Sequence, residues 1–316
     1  MTNLDKPNSA SAANGTATAD TPGQATSRGK AHLLIRLTLV FLLFLVLIHQ
    51  IGSKLRPAGP SDGTELFGTA TPIPAERDTL RIGAFNIHYG KGGNDVRDIS
   101  QTAAVLAPLQ LDIVGLNEVR GPRRSEPVGQ AECLGKTLSL QWILAPTVRT
   151  WINNETGNGL LSRVPVDSWQ RIPLTTRLDR SYRNVLFVRM TWKGRPVNVL
   201  VTHLNRRYDE ERRAQLRTVT QLFLAMESPA MLIGDLNTKA DAPELAPLLT
   251  APGVLDPLAG RELPPDQDVL NKDRIDWILL KGFEATDAGI APNGASDHPV
   301  VWAEVRLKDA GPQRAP

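Results

Sequence analysis

The chain has 316 residues, 41% of them apolar, so a sizeable buried core is within reach and a wholly disordered protein is excluded. A formal net charge of +3 is too mild to mark an obligate nucleic-acid binder. The single cysteine, Cys133, rules out an intrachain disulfide and any cysteine-rich metal cage.

From the N-terminus, residues 1–30 are rich in Ala, Thr, Ser, Gly and Asn without apolar periodicity, and are expected to form a disordered cytoplasmic tail. Residues 31–52 hold the apolar run Leu37–Ile48, close to the ~20 residues that a bilayer-spanning helix needs. Lys6, Arg28, Lys30 and Arg36 precede this run, and Lys54 and Arg56 follow it. That bias favours a single-pass signal anchor in the cytoplasmic membrane, with its N-terminus inside and the rest of the chain extracytoplasmic. Secretion after signal cleavage is the alternative, although no clear small-x-small site follows the run. Residues 53–77 contain Pro57, Pro60, Pro72 and Pro74 and read as a linker. A globular domain spans 78–308, and 309–316 form a tail.

Within the domain, apolar runs alternate with turn signals. Strands are predicted at 80–86, 112–118, 141–145, 159–161, 168–172, 184–191, 197–203, 230–234, 276–280 and 300–305. Lys193-Gly194-Arg195 reads as a hairpin turn. Helices are predicted at 98–109, 130–140 and 210–226, the last with Asp209 as its N-cap. Many strands with a few long helices between them imply an α/β (α+β) layered sandwich, two central sheets carrying helices outside.

Six short polar motifs punctuate this pattern, most of them at the end of an apolar run: Phe85-Asn86, Leu116-Asn117-Glu118-Val119, Thr202-His203-Leu204-Asn205, Gly234-Asp235-Leu236-Asn237, Arg274-Ile275-Asp276-Trp277 and Ser296-Asp297-His298. Strand ends drawn from separate strands assemble one acidic site. Carboxylates, amides and imidazoles without cysteine suit a hard divalent cation and a phosphoester better than zinc or covalent catalysis. Gly90-Lys91-Gly92-Gly93 lacks the Gly-Lys-Ser/Thr ending of a phosphate-binding P-loop. The Pro146–Gly157 stretch, with Trp151, offers a loop for lipid or substrate contact or for plain packing.

The order of these motifs from Leu80 to Leu307 resembles the endonuclease/exonuclease/phosphatase superfamily. The opening Arg81-Ile82-Gly83-Ala84-Phe85-Asn86-Ile87-His88-Tyr89-Gly90 looks most like small bacterial metal-dependent hydrolases. The resemblance implies a four-layer α/β/β/α sandwich with two central mixed sheets, here preceded by one transmembrane helix. It also implies a Mg²⁺-dependent hydrolase, with Mn²⁺ as a substitute. By the same resemblance Glu118 ligates the metal, assisted by Asn86 and Asp297. Asp235 orients or deprotonates the attacking water, and Asn237 stabilises that water or the phosphorus. Asp276 holds His298, which acts as base or as a positive clamp. His203 protonates the leaving oxygen. Asn205, Arg163 and His88 are expected to contact substrate. Asn117 departs from the glutamine that often precedes the metal-binding glutamate.

The implied activity is membrane-anchored hydrolysis of a phosphodiester or phosphomonoester by in-line attack of water. A secreted or anchored nuclease is the alternative, and a non-catalytic binding module on the same scaffold is the remote one. A phospholipid head group, a nucleic acid and a small phosphodiester are all open as substrates. The membrane is the partner of the N-terminal helix, and no obligate protein partner is evident.

Overall fold

The computed structural model describes residues 23–52, 55–57, 61–93, 96–123, 126–149, 155–174, 182–292 and 294–309; for 23–29 and 50–52 it describes backbone only. The expected tails at 1–22 and 310–316, and Trp151, lie outside these residues. The chain divides into two units, Met1–Gln50 and Ile51–Pro316.

The described residues of the first unit belong to the helix α1 (Gly23–Gly52). Its Lys30–His49 stretch of 20 residues is long and apolar enough to cross a membrane, and its described side chains are exposed. The helix begins at Gly23, so residues 23–30 are not the unstructured tail that their composition implied.

In chain order the second unit starts with β1 (Asp62–Gly63), β2 (Thr79–Asn86), α2 (Ile99–Leu106), β3 (Ile113–Arg120) and α3 (Gln130–Leu138). Then follow β4 (Gln141–Val148), β5 (Thr156–Ser162), β6 (Val166–Leu174), β7 (Arg183–Trp192), β8 (Arg195–His203), α4 (Asp209–Ala225) and β9 (Ala230–Asp235). The unit ends with α5 (Ala246–Leu249), β10 (Val254–Leu255), α6 (Pro265–Lys272), β11 (Asp276–Lys281), β12 (Phe283–Ala291) and β13 (Val300–Leu307).

Among the described residues these strands form two mixed sheets. One has the order β1-β6-β7-β8-β9-β11-β10 and the other β12-β13-β2-β3-β5-β4. The pairs β8/β9 and β2/β3 are parallel; the other pairs are antiparallel. Period-two alternation sorts each strand between two cores. Ile82, Ala84, Ile113, Val199, Val201, Met231, Ile233, Ile278 and Leu280 pack between the sheets. The alternate residues of one sheet, Leu200, Leu232 and Leu279, pack under Leu216, Val219 and Phe223 of α4. Those of the other sheet, Phe85, Val114 and Leu116, pack under Ala103 and Leu106 of α2 and Ala131 and Leu134 of α3. The result is the four-layer α/β/β/α sandwich.

The β7–β8 hairpin turns on Lys193 and Gly194, both at positive φ (50° and 71°), the geometry of a tight two-residue turn. At α4 the cap differs from expectation. Tyr208 is the N-cap and Asp209 lies inside the first turn. Asn205 Oδ1 instead accepts the backbone N–H groups of Arg207 and Tyr208, at 2.8 and 3.1 Å. β12 and α6 had no sequence prediction. β12 is rich in Ala and Gly and bulged between Ala285 and Asp287, which blurs its alternation; α6 opens on a Pro264-Pro265 pair that reads as a breaker.

The segment read as a linker is instead packed on the domain. Leu55 pairs with Arg149, Asp62 and Gly63 pair with Gln170 and Trp169, and Phe67 pairs with Trp142. Leu66 joins the inter-sheet core. The prolines break regular structure but leave backbone groups free to add to sheet edges.

Candidate active site

Three site residues stand in register on adjacent strands. His203 of β8 is opposite Asp235 of β9, and Asp235 is opposite Asp276 of β11. In the facing sheet, Asn86 of β2 is opposite Asn117 of β3. Each lies two residues from an inter-sheet core residue (Val201, Ile233, Ile278, Ala84) or continues that face, so the alternation that buries the core also aims these side chains into one place. Gly234 makes the approach possible. Its φ is +135°, and a Cβ there would sit 2.0 Å from the Thr202 carbonyl oxygen.

The contacts are dense. His298 Nδ1 lies 2.6 Å from Asp276 Oδ2, and its Nε2 lies 4.0 Å from Asp235 Oδ2. His203 Nε2 approaches the same Asp235 oxygen at 3.3 Å, and Asn86 Nδ2 donates to it at 3.0 Å. Asp235 Oδ1 accepts the N–H of Asn237 at 2.8 Å, and Asn237 Nδ2 donates to the Leu204 carbonyl at 3.1 Å. Ser296 Oγ donates to the Asn86 carbonyl at 2.7 Å and accepts the His298 N–H at 3.2 Å, tying the His298 loop to the end of β2.

These surroundings set the charges. Burial, and then the facing Asp276 charge, push the Asp235 carboxyl up to about 7. Burial works against an imidazolium at His298, but the hydrogen bond and charge of Asp276, with Asp235 and Asp297 behind it, raise its pKa to about 9. Burial, reinforced by the positive charges of Arg183, His298 and Arg206, holds His203 well below 6.5. At neutral pH the site therefore holds one charged and one neutral imidazole.

Glu118 reaches its cleft through a distortion. Pairing of β3 with β5 slips between Leu116 and Val119, and Glu118 sits at φ +55°. Strict alternation would send Glu118 to the helix-covered face with Leu116; the bulge re-aims it. It now lines a cleft of about 100 Å³ with Tyr89, Asn158, Arg183 and His203. Burial, and then the Glu118 charge, push the Tyr89 hydroxyl up to about 12, so it stays a hydrogen-bond donor. Tyr89 stands inside the opening motif that runs from Arg81 to Gly90. Arg183 belongs to no motif and left no signal.

Several expectations need correction. Arg163 lies at the opposite end of β3: its N–H bonds the Asp112 carbonyl, and its guanidinium lies 3.5 Å from Asp112 Oδ1. Six residues of strand, about 20 Å, separate Asp112 from Glu118. Asn205 is buried, donating to Glu211 at 2.8 Å and accepting the N–H groups of Arg207 and Tyr208 just ahead of α4. Asp297 and His88 pair with each other at 3.3 Å, half-exposed at the rim.

The donor atoms suit a hard cation. Asp235, Asp276 and His298 bring ligand atoms within 4.8 Å of one another, and Asp276 Oδ1 is buried without a partner. His298 Nδ1 is taken up by Asp276 Oδ2 at 2.6 Å, and its Nε2 faces Asp235. Glu118 lines the open cleft beside the Tyr89 hydroxyl, with which it is hydrogen-bonded. A cation that keeps most of its waters and takes one or two carboxylates fits there.

A four-layer sandwich with paired carboxylates and two imidazoles at its strand ends is the framework of phosphoester hydrolases. The chain belongs to the endonuclease/exonuclease/phosphatase family, whose model matches residues 83–298, more than half of the chain. Family members hydrolyse phosphoesters and typically depend on a divalent metal. Among curated proteins no match is found. Solved structures with this fold include an endonuclease/exonuclease/phosphatase from Beutenbergia cavernae, with 24% identity, 73% of this chain and 72% of that one covered, and a TM-score of 0.60. A family protein from Leptotrichia buccalis has 18% identity, covers 72% of this chain and 100% of its own, and scores 0.58. D. rerio TDP2, complexed with a single-strand DNA product, has 20% identity, covers 73% and 100%, and scores 0.55.

Proposed function

We propose that this protein is a Mg²⁺-dependent phosphodiesterase, with Mn²⁺ as a substitute metal, held at the cytoplasmic membrane by α1 with its catalytic domain outside. The observation that carries the chemistry is the row His203, Asp235 and Asp276 on three neighbouring strands, with His298 held against Asp276.

In this reading Glu118, with Asn86 and Asp297, holds the metal, which when bound offsets the negative charge of the phosphate oxygens. Asp235 takes the proton of the attacking water, its pKa near 7 being suited to a general base. Asn86 and Asn237 fix that carboxylate and the water. His203, neutral, donates from Nε2 to Asp235. His298, an imidazolium, faces the phosphate and passes its Nε2 proton to the leaving oxygen as the P–O bond breaks. Asp276 keeps the ring in place and charged. No covalent enzyme intermediate is needed.

The anchor rests on the apolar Lys30–His49 helix and the basic residues ahead of it. Release by signal cleavage is the alternative. A nuclease is the second reading for the activity, favoured by the resemblance in fold to D. rerio TDP2 with its single-strand DNA product. The test is a panel on the full chain in detergent: bis-p-nitrophenyl phosphate, plasmid DNA, short RNA, sphingomyelin and phosphoinositides, with Mg²⁺ and with EDTA. Hydrolysis that needs Mg²⁺ or Mn²⁺ supports the reading; full activity in metal-free protein overturns it.

A further inference from the structure

Two residues that line the catalytic cleft, Tyr89 and Glu118, hold φ values of 57° and 55°. Neither is glycine, and that region of backbone space is costly for a residue with a Cβ. Such a conformation persists where surrounding contacts over-determine it. The two belong to different segments. Tyr89 stands in the single 3₁₀ turn His88–Gly90 after β2, and Glu118 stands in the slip of β3. Their side chains meet, since the Tyr89 hydroxyl donates to the Glu118 carboxylate.

Gln130 joins the backbones of the same two segments. It is the first residue of α3, and it is buried. Its Oε1 accepts the N–H of Arg120, the last residue of β3 and two beyond Glu118, at 2.9 Å. Its Nε2 donates to the Tyr89 carbonyl at 2.6 Å. The two segments are thus tied twice, by hydroxyl and carboxylate on the cleft side and by this amide behind it. Gly90 leaves room for the amide: its φ is +71°, and a Cβ there would sit 2.8 Å from Gln130 Nε2. The amide does not serve α3 itself. The N-cap of α3 is Gly129, without a side-chain capping bond, and both partners of the amide lie outside the helix. Ala131 and Leu134 fix α3 in the core beneath its sheet, so the amide comes from a firm support.

We propose that Gln130 is a positioning residue for metal binding: by tying the end of β3 to the turn after β2, it holds the Glu118 carboxylate ready in the cleft. The proposal rests on the reading of Glu118 as the metal carboxylate. Gln130 touches neither metal nor substrate and acts through Glu118 and Tyr89. Loss of an outer partner of this kind typically changes metal affinity or activity by about 10–100-fold. An amide that served folding alone would lower stability and leave the affinity of the folded protein unchanged.

The test is calorimetry of Mn²⁺ binding to the full chain in detergent micelles, with denaturant unfolding alongside. Gln130→Met keeps the length of the side chain and removes both bonds, and is expected to bind Mn²⁺ about tenfold more weakly. Gln130→Glu keeps the acceptor for the Arg120 N–H but sets a carboxylate against the Tyr89 carbonyl. It is expected to lose affinity as well, and it carries the test where Gln130→Met does not fold. Val219→Ala, in α4 on the other sheet, is the control and is expected to lose stability at wild-type affinity. Gln130→Met combined with Glu118→Gln is expected to bind no more weakly than Glu118→Gln alone, because Gln130 acts through Glu118. Wild-type affinity in a folded Gln130 variant, with weak binding in Glu118→Gln, overturns the positioning role and leaves the metal reading intact. Losses that add in full, or an equal loss of affinity in Val219→Ala, overturn it too. Wild-type affinity in Glu118→Gln overturns the metal reading, and the proposal with it.

Discussion

Asn117 Oδ1 accepts the backbone N–H of Asp235 at 2.8 Å, joining the end of β3 in one sheet to the end of β9 in the other. The same side chain donates to Asn158 Oδ1 at 2.9 Å and to the Thr202 carbonyl at 3.1 Å. Asn158 passes the network on to Asn184, at 2.9 Å. A chain of buried amides thus spans the two sheets directly beneath the acid–imidazole row. It places the residue that departs from the common pattern at the point where the two halves of the site are registered.

Asn117→Ala is therefore expected to act on stability and turnover together. It strands the Asp235 N–H, the Asn158 amide and the Thr202 carbonyl in a dry interior, at about 1–3 kcal/mol for an unsatisfied buried group. Denaturant unfolding should show the loss, and turnover should fall with little change in metal affinity. A variant as stable and active as wild type would remove Asn117 from this role.

The pH dependence follows from Asp235 and His298. Activity is expected to rise with pH as Asp235 ionises near 7 and to fall as His298 loses its proton near 9. For stability the signs are separate. His298, with its folded pKa raised above 6.5, stabilises fully below 6.5, and that contribution disappears as pH rises through 9. Asp235, also raised, opposes folding increasingly from about pH 4 to 7. Thermal unfolding of metal-free protein should thus show a falling Tm between pH 6.5 and 9. Asp276→Asn should flatten that fall and bring the His298 imidazole resonances to titrate well below 9. Unchanged titration in the variant would contradict the pairing.

Glu118→Gln and Asp276→Asn are expected to separate metal binding from proton handling. Glu118 stands in the open cleft, so its loss should weaken Mg²⁺ binding about tenfold or more, a shift of ~1.4 kcal/mol per decade. Asp276 is engaged with His298, so its loss should lower turnover and largely spare metal affinity. Calorimetry giving both variants wild-type Mg²⁺ affinity would refute this division.

Truncation should report the true domain edge. A chain starting at residue 53 keeps Leu55, β1, Leu66 and Phe67 on the domain and is expected to be soluble and active. A chain starting at residue 78 uncovers the inter-sheet core at Leu66 and the edge of β6, and should unfold at a lower temperature. Full-length protein is expected in the membrane fraction and to resist carbonate extraction. A mature species starting after residue 50 and found in the soluble fraction would show cleavage instead.

By itself the sequence carried most strands, the helices α2, α3 and α4, and the polar motifs at strand ends. Those features are local: a period-two apolar run and the polar residue that ends it can be read without knowing the partner strand. It also carried Asp276 with His298, since motif order alone pairs them by resemblance. Only the tertiary structure decided what depends on register and on packing across the sheets. The slip between Leu116 and Val119 aims Glu118, and the amide chain from Asn117 to Asn184 links strands far apart in sequence. Arg163 and Asn205 looked like site residues because they follow strand-end motifs, but the direction of β5 and the capping of α4 carry them elsewhere. The opposite directions in which the pKa values of the two histidines move come from burial and neighbours, which no spacing of residues along the chain encodes. The strap at residues 55–67 is the same case: its prolines describe how the backbone bends, while Arg149, Trp142 and Trp169 determine where it lies.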